Sequence, residues 1–251
     1  MVRTLRSEIA TSFIELSGHG GESIEVYVAT VAHPSPRGGV VVIHHLPGFD
    51  EGIREIVRKF AVMGYNAACV NLYYREAPGA SSDDAAAIAR AQGGVPDERL
   101  VGDVAAALAY LRGLDNSNGR VGVIGYCSGG RQTVLAACHL DFDAAVDCYG
   151  AFVVVGTPEG SPFNFPALTP ILADLHCPML GLFGADDQYP SPEQTAELEA
   201  LLAHAGKNFT AHTYEGAGHA FFAVDRPSYR PEVAKEAWSE VADFFDIHLS
   251  A

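Results

Sequence analysis

The chain has 251 residues, 48% of them hydrophobic and 19% charged, with a formal net charge of −15. That composition excludes disorder and fits a packed globular core. The acidity repels phosphate backbones and anionic lipid, which argues against nucleic acid and membrane surfaces as partners and leaves a small molecule as the expected one.

No stretch of about 20 apolar residues is present to span a bilayer, and Met1 to Ser17 lacks the long apolar run of a signal peptide. The five cysteines, Cys69, Cys127, Cys138, Cys148 and Cys177, are odd in number and lack C-x-x-C spacing. A disulfide framework is therefore not expected, and a cytoplasmic setting is.

In chain order, Ile24 to Val31 reads as an edge strand or two. Val40 to Ile43 is a β-branched run, expected to be a strand buried on both faces. Ile53, Ile56, Val57 and Phe60 recur at helical spacing. Asn66 to Val70 is the next strand, followed by the loop Asn71 to Ala80. Leu100, Val104, Leu108 and Leu111 share one helical face, and Asn116 to Gly119 is a turn-like break. Val121 to Ile124 is a strand, with a helix starting near Ser128. Ala144 to Val146 and Met179 to Phe183 are further strands. The loop Thr157 to Pro170 is long enough to shape a pocket wall. Leu198, Leu201 and Leu202 mark a helix, Phe209 to Tyr214 the last strand, and Val233, Ala237, Val241, Phe245 and Leu249 the stripe of a closing helix. Strand and helix alternate, so one α/β domain over residues 1–251 is expected, with a mostly parallel central sheet and helices on both faces.

The sharpest signal is Gly125-Tyr126-Cys127-Ser128-Gly129-Gly130, between a β-branched strand and a helical pattern. This is the nucleophile elbow of the α/β-hydrolase fold with cysteine in place of serine. The tight turn needs glycines two before and two after the nucleophile. The helix N-terminus beneath favours a thiolate and a developing oxyanion. The acid should follow a later strand, and Asp186 and Asp187 do so. The base should follow the last strand, and His219 does so, in the order nucleophile, acid, base. The usual G-x-x-D spacing from Gly184 selects Asp187. A lone G-x-C-x-G also describes a buried cysteine beside a turn; the ordered trio tells against that reading. It also tells against a non-catalytic ligand cage, which would need no such trio. A metal site is not expected, because the adjacent His44 and His45 face opposite sides of a strand.

Over about Val40 to Phe245 the sequence resembles the dienelactone hydrolase family. The likeness lies in Val41 to Gly48, Asn71 to Gly79, the elbow, and Tyr214 to Phe222 around His219. The resemblance implies a Cys127–His219–Asp187 triad, no cofactor, and hydrolysis of lactones or related esters through an acyl-cysteine. It implies an oxyanion hole from the backbone N–H groups of Leu46 and Ser128, and Arg75 as the grip on a substrate carboxylate. Two positions depart from the family. His45 stands where well-known members carry a glutamate that helps activate the cysteine, and is expected to face the substrate. Ala223 stands where they carry a second carboxylate-binding arginine, with Arg226 as the candidate replacement.

Overall fold

The computed structural model describes residues 8–33 and 35–250; the readings of Met1 to Ser7 and of Ala251 lie outside them. The strands are β1 (Glu8–Ser17), β2 (Ser23–Ala32), β3 (Arg37–Ile43), β4 (Asn66–Val70), β5 (Ser117–Tyr126), β6 (Ala144–Cys148), β7 (Met179–Gly184) and β8 (Phe209–Tyr214). The helices are α1 (Glu51–Val62), α2 (Ser82–Ala91), α3 (Asp97–Arg112), α4 (Ser128–His139), α5 (Pro192–His204) and α6 (Pro231–Leu249).

All eight strands form one sheet in the order β1-β2-β4-β3-β5-β6-β7-β8. From β4 across to β8 every neighbour is parallel, while β1–β2 and β2–β4 are antiparallel. Side chains alternate along β3: Val41 and Ile43 join the core under α3 and α4, and Val40 and Val42 join the core under α1 and α6. Both faces are covered, which is why the run Val40–Ile43 contains no polar residue.

The helix starts follow local chemistry. Asp50 caps α1 by accepting the Ile53 N–H at 2.8 Å, and Ser191 and Gln194 cap α5 reciprocally.

Three elements differ from the sequence reading. Ile24–Val31 lies within β2, and the edge itself is β1, which pairs with β2 along its whole length and is mostly exposed. Helix α2 follows the expected loop and buries only Ala85, Ala86 and Ala89, so it has no large apolar stripe. The turn-like Asn116–Gly119 belongs largely to β5. Ser117 pairs with Arg37, the register then shifts to Gly39 and Val121, and Gly119 takes φ 85°. Its glycine and polar residues build a bulge at the start of the strand.

Candidate active site

Strand β5 ends at Tyr126 and α4 begins at Ser128, leaving Cys127 alone to turn the chain, with φ 58° and ψ −119°. A non-glycine residue in that region is strained and persists only where its surroundings hold it. Here the Cys127 N–H donates to the Cys148 carbonyl at 3.0 Å, and the Cys127 carbonyl accepts the Gly130 N–H at 2.9 Å. The flanking glycines are required by space. A Cβ at Gly125 would collide with the Gly129 carbonyl, and one at Gly129 with the carbonyls of Ile43 and His44. Tyr149, Phe152 and Ala220 also have positive φ and lie around the same end of the sheet.

The turn after β7 buries Asp187 and leaves Asp186 exposed. Asp187 Oδ2 accepts a hydrogen bond from His219 Nδ1 at 2.8 Å, and Asp187 Oδ1 accepts the Tyr189 N–H at 2.9 Å. His219, in the loop after β8, lies close enough to Cys127 for the sulfur to favour the charged imidazole. Burial works against a charge on this imidazole, but the hydrogen bonds to Asp187 and Cys127 outweigh it, and its pKa rises to about 10. The Tyr149 ring packs edge-on against it, centroids 5.2 Å apart, fixing the ring plane. The structure thus brings Cys127, His219 and Asp187 together.

Cys127 and Ser128 open onto a cleft of about 590 Å³ that Leu46 also lines. Neither the Leu46 nor the Ser128 N–H donates to an acceptor among the described residues. The far walls are aromatic: Tyr73 after β4, Phe152 after β6, and Phe163 with Phe165 from the long loop, the last two stacked at 5.3 Å. The expectation for the Thr157–Pro170 loop concerned only its length; its phenylalanines, and the ring of Tyr149, carried no motif that would single them out.

Two expected substrate contacts lie elsewhere. Arg75 is held by Asp103 of α3, Nη1 to Oδ2 at 2.6 Å and Nη2 to Oδ1 at 2.8 Å, and its Nε lies 2.6 Å from Glu22. Asp103 is fully buried and also accepts the His19 N–H at 2.8 Å, so Arg75 is drawn inward as its counter-charge. It is not on the cleft wall. His45 lines a separate cleft with Asp50, Lys59 and Trp238, and its Nε2 donates to Asp50 Oδ2 at 3.1 Å. Its neighbour His44 is buried. His44 Nε2 accepts the Leu72 N–H at 3.2 Å and Nδ1 donates to the His45 carbonyl at 2.9 Å. Desolvation lowers the His44 pKa to about 4, so the ring is neutral. Arg226 is exposed and on neither of these two clefts.

All five cysteines are free thiols. Cys69, Cys138, Cys148 and Cys177 are buried, and burial pushes each thiol pKa up, to about 12 for Cys138 and Cys177. Among the described residues, no three His, Cys, Asp or Glu side chains are grouped to hold a metal ion, and no helix is long and apolar enough to cross a membrane.

Comparison with known proteins agrees with this architecture. The model of the "Dienelactone hydrolase family" matches residues 24–249. A Methylorubrum extorquens protein named "Putative carboxymethylenebutenolidase" is 32% identical over 225 residues, covering 88% of this chain and 76% of its own. The carboxymethylenebutenolidase of Pseudomonas putida is 29% identical, covering 93% of this chain and 95% of its own. The crystal structure of a Klebsiella pneumoniae protein described as a "Putative Dienelactone Hydrolase" superposes with a TM-score of 0.82 at 27% identity, over 95% of this chain and 98% of that one. The chain has the α/β-hydrolase fold, belongs to the dienelactone hydrolase family, and is a hydrolase acting on esters or lactones.

Proposed function

We propose that this protein opens lactones, or cleaves related esters, with Cys127 as nucleophile, His219 as general base and acid, and Asp187 as the group that orients His219. The observation that carries the reading is the line from buried Asp187 through His219 to Cys127, which sits on a strained elbow at the wall of the cleft.

The thiolate is the attacking form of a cysteine. Its sulfur bonds to the substrate carbonyl carbon, and the carbonyl π electrons move onto oxygen. The N–H groups of Leu46 and Ser128 stabilise that oxyanion in this reading, which is supported by their lack of an acceptor among the described residues and by both residues bordering the cleft at Cys127. Collapse breaks the carbon–oxygen bond of the ester, the leaving oxygen takes a proton from the His219 imidazolium, and a thioester to Cys127 remains. In a lactone the leaving oxygen stays tethered to the acyl group. Neutral His219 then removes a proton from water, whose oxygen attacks the thioester, and the acid leaves as Cys127 is regenerated. Asp187 holds the Nδ1–H, so Nε2 is the nitrogen that exchanges protons.

The whole chain is taken to work as one domain. Free thiols and a net charge of −15 fit a reducing aqueous compartment, the cytoplasm. The test is hydrolysis of p-nitrophenyl butyrate by the native protein and by Cys127→Ala. A loss of about 10⁴-fold or more is expected, with an added butyryl mass on Cys127 in rapidly quenched native enzyme. A variant retaining most of the native rate would remove Cys127 from the mechanism.

A further inference from the structure

The cleft at Cys127 has walls that say what it accepts. Beyond Cys127, Ser128 and Leu46 it is formed mainly by apolar side chains, chiefly Tyr73, Val95, Phe152, Phe163 and Phe165, with the Gln132 amide as a neutral polar group on the wall. One cation lies on its wall, Arg131, whose terminal nitrogens are held by protein oxygens while its buried Nε has no hydrogen-bond partner among the described residues. Its Nη1 and Nη2 reach the two carboxylate oxygens of Asp97 at 2.8 and 2.9 Å, and Nη2 also donates to the Pro166 carbonyl at 2.8 Å. The guanidinium carbon lies over Phe165, 5.0 Å from the ring centre, and the residue is 2% exposed. Arg131 therefore has its charge balanced by Asp97 and braces the phenylalanine loop through Pro166 and Phe165.

No other arginine lines this cleft. Arg75 is consumed by Asp103 and Glu22, position 223 is alanine, and Arg90 and Arg226 are exposed residues off the cleft wall. A carboxylate entering this space would leave water and meet aromatic faces, which is costly for an unpaired charge. The net charge of −15 adds a long-range barrier to any anion.

We propose that the substrate is a neutral ester or lactone whose acyl part is apolar, and that carboxylate-bearing acyl groups are discriminated against. This rests on the reading of Cys127 as nucleophile and narrows it to a substrate class. The aromatic walls match a flat or flexible hydrocarbon group, and its burial against them supplies the binding energy that an ion pair would otherwise give.

The experiment compares kcat/KM at neutral pH for three p-nitrophenyl esters of matched length: pentanoate, the free-acid glutarate monoester, and that glutarate as its methyl ester. Each is run with native protein and with Cys127→Ala. The expected result is a preference for pentanoate over the charged glutarate on the order of 100-fold, with the methyl ester recovering most of it and all turnover lost in the variant. Charged glutarate turned over as well as pentanoate, with both reactions lost in Cys127→Ala, overturns the substrate class and leaves the nucleophile standing. A methyl ester as slow as the free acid overturns it too, because size and not charge would then decide. Turnover that survives in Cys127→Ala, or none with any ester, overturns the nucleophile reading and this inference with it.

Discussion

His219 and Arg75 both end on the carboxylate of a buried aspartate, and the two pairs do opposite things with the same chemistry. His219 uses Nδ1 on Asp187 and keeps its other ring nitrogen for Cys127. Arg75 places both terminal nitrogens on Asp103 and its Nε beside Glu22, so its charge is balanced by two carboxylates of the protein itself. The first pair borders the cleft end of the sheet, beside backbone at positive φ. The second ties the loop after β4 to helix α3 and, through the His19 N–H on Asp103, to the turn before β2. A polar group closed on every side holds elements together; one with a single unspent donor or acceptor can move a proton. Residue type alone does not separate the two cases.

The sharpest way to break this comparison is to cut the orienting bond. Asp187→Asn is expected to lower kcat by about 10⁴-fold, because the amide can present its NH₂ to Nδ1 and favour the wrong tautomer. The exposed neighbour Asp186→Asn should leave kcat near its native value. Equal losses in the two variants would remove Asp187 from its role.

On the other side, Arg75→Leu is expected to cost about 3 kcal/mol of stability in urea unfolding, since it strands the buried Asp103 carboxylate. Its kcat/KM for a neutral ester should stay close to native in the folded protein. Unchanged stability with a raised KM would reverse the assignment and return Arg75 to the substrate.

The smallest effect is a slope with pH. The hydrogen bonds to Asp187 and Cys127 push the pKa of folded His219 up to about 10, from an ordinary 6.5. Between those values the folded state binds more protons than the unfolded chain, so this contribution is complete below pH 6.5 and is lost as pH rises through about 10. The fall in Tm over that window should be steeper for native protein than for His219→Gln. Matching slopes would mean that His219 is not held charged by Asp187 and Cys127.

Much of the fold was legible because its parallel strands are short apolar runs covered on both faces, and α1, α3 and α6 carry large residues at helical spacing. Strand β1 was not legible: it is mostly exposed on an edge, so no inward face imprints alternation on Glu8–Ser17. Helix α2 escaped because it packs through three alanines. Within the candidate site, the positions of Cys127, Asp187 and His219 after β5, β7 and β8 were readable from the strands that precede them. The partners of Arg75 were not, because Asp103 is 28 residues away on a helix. Its buried carboxylate lies beside apolar Val104, where the sequence pattern shows only one more helical residue. The aromatic wall was hidden for a related reason: Phe163 and Phe165 lie in a loop without periodicity, and only the fold turns them toward Cys127.

The distribution of sulfur has a practical consequence. Four cysteines are sealed in the core with thiols that resist ionisation, and one stands at the cleft. A thiol reagent meeting the native chain encounters a single target per molecule, and the remaining sulfurs become visible only when the core opens. The sulfur that reacts before unfolding is therefore a tally of competent molecules, and the sulfur that reacts afterwards is a clock for loss of the fold.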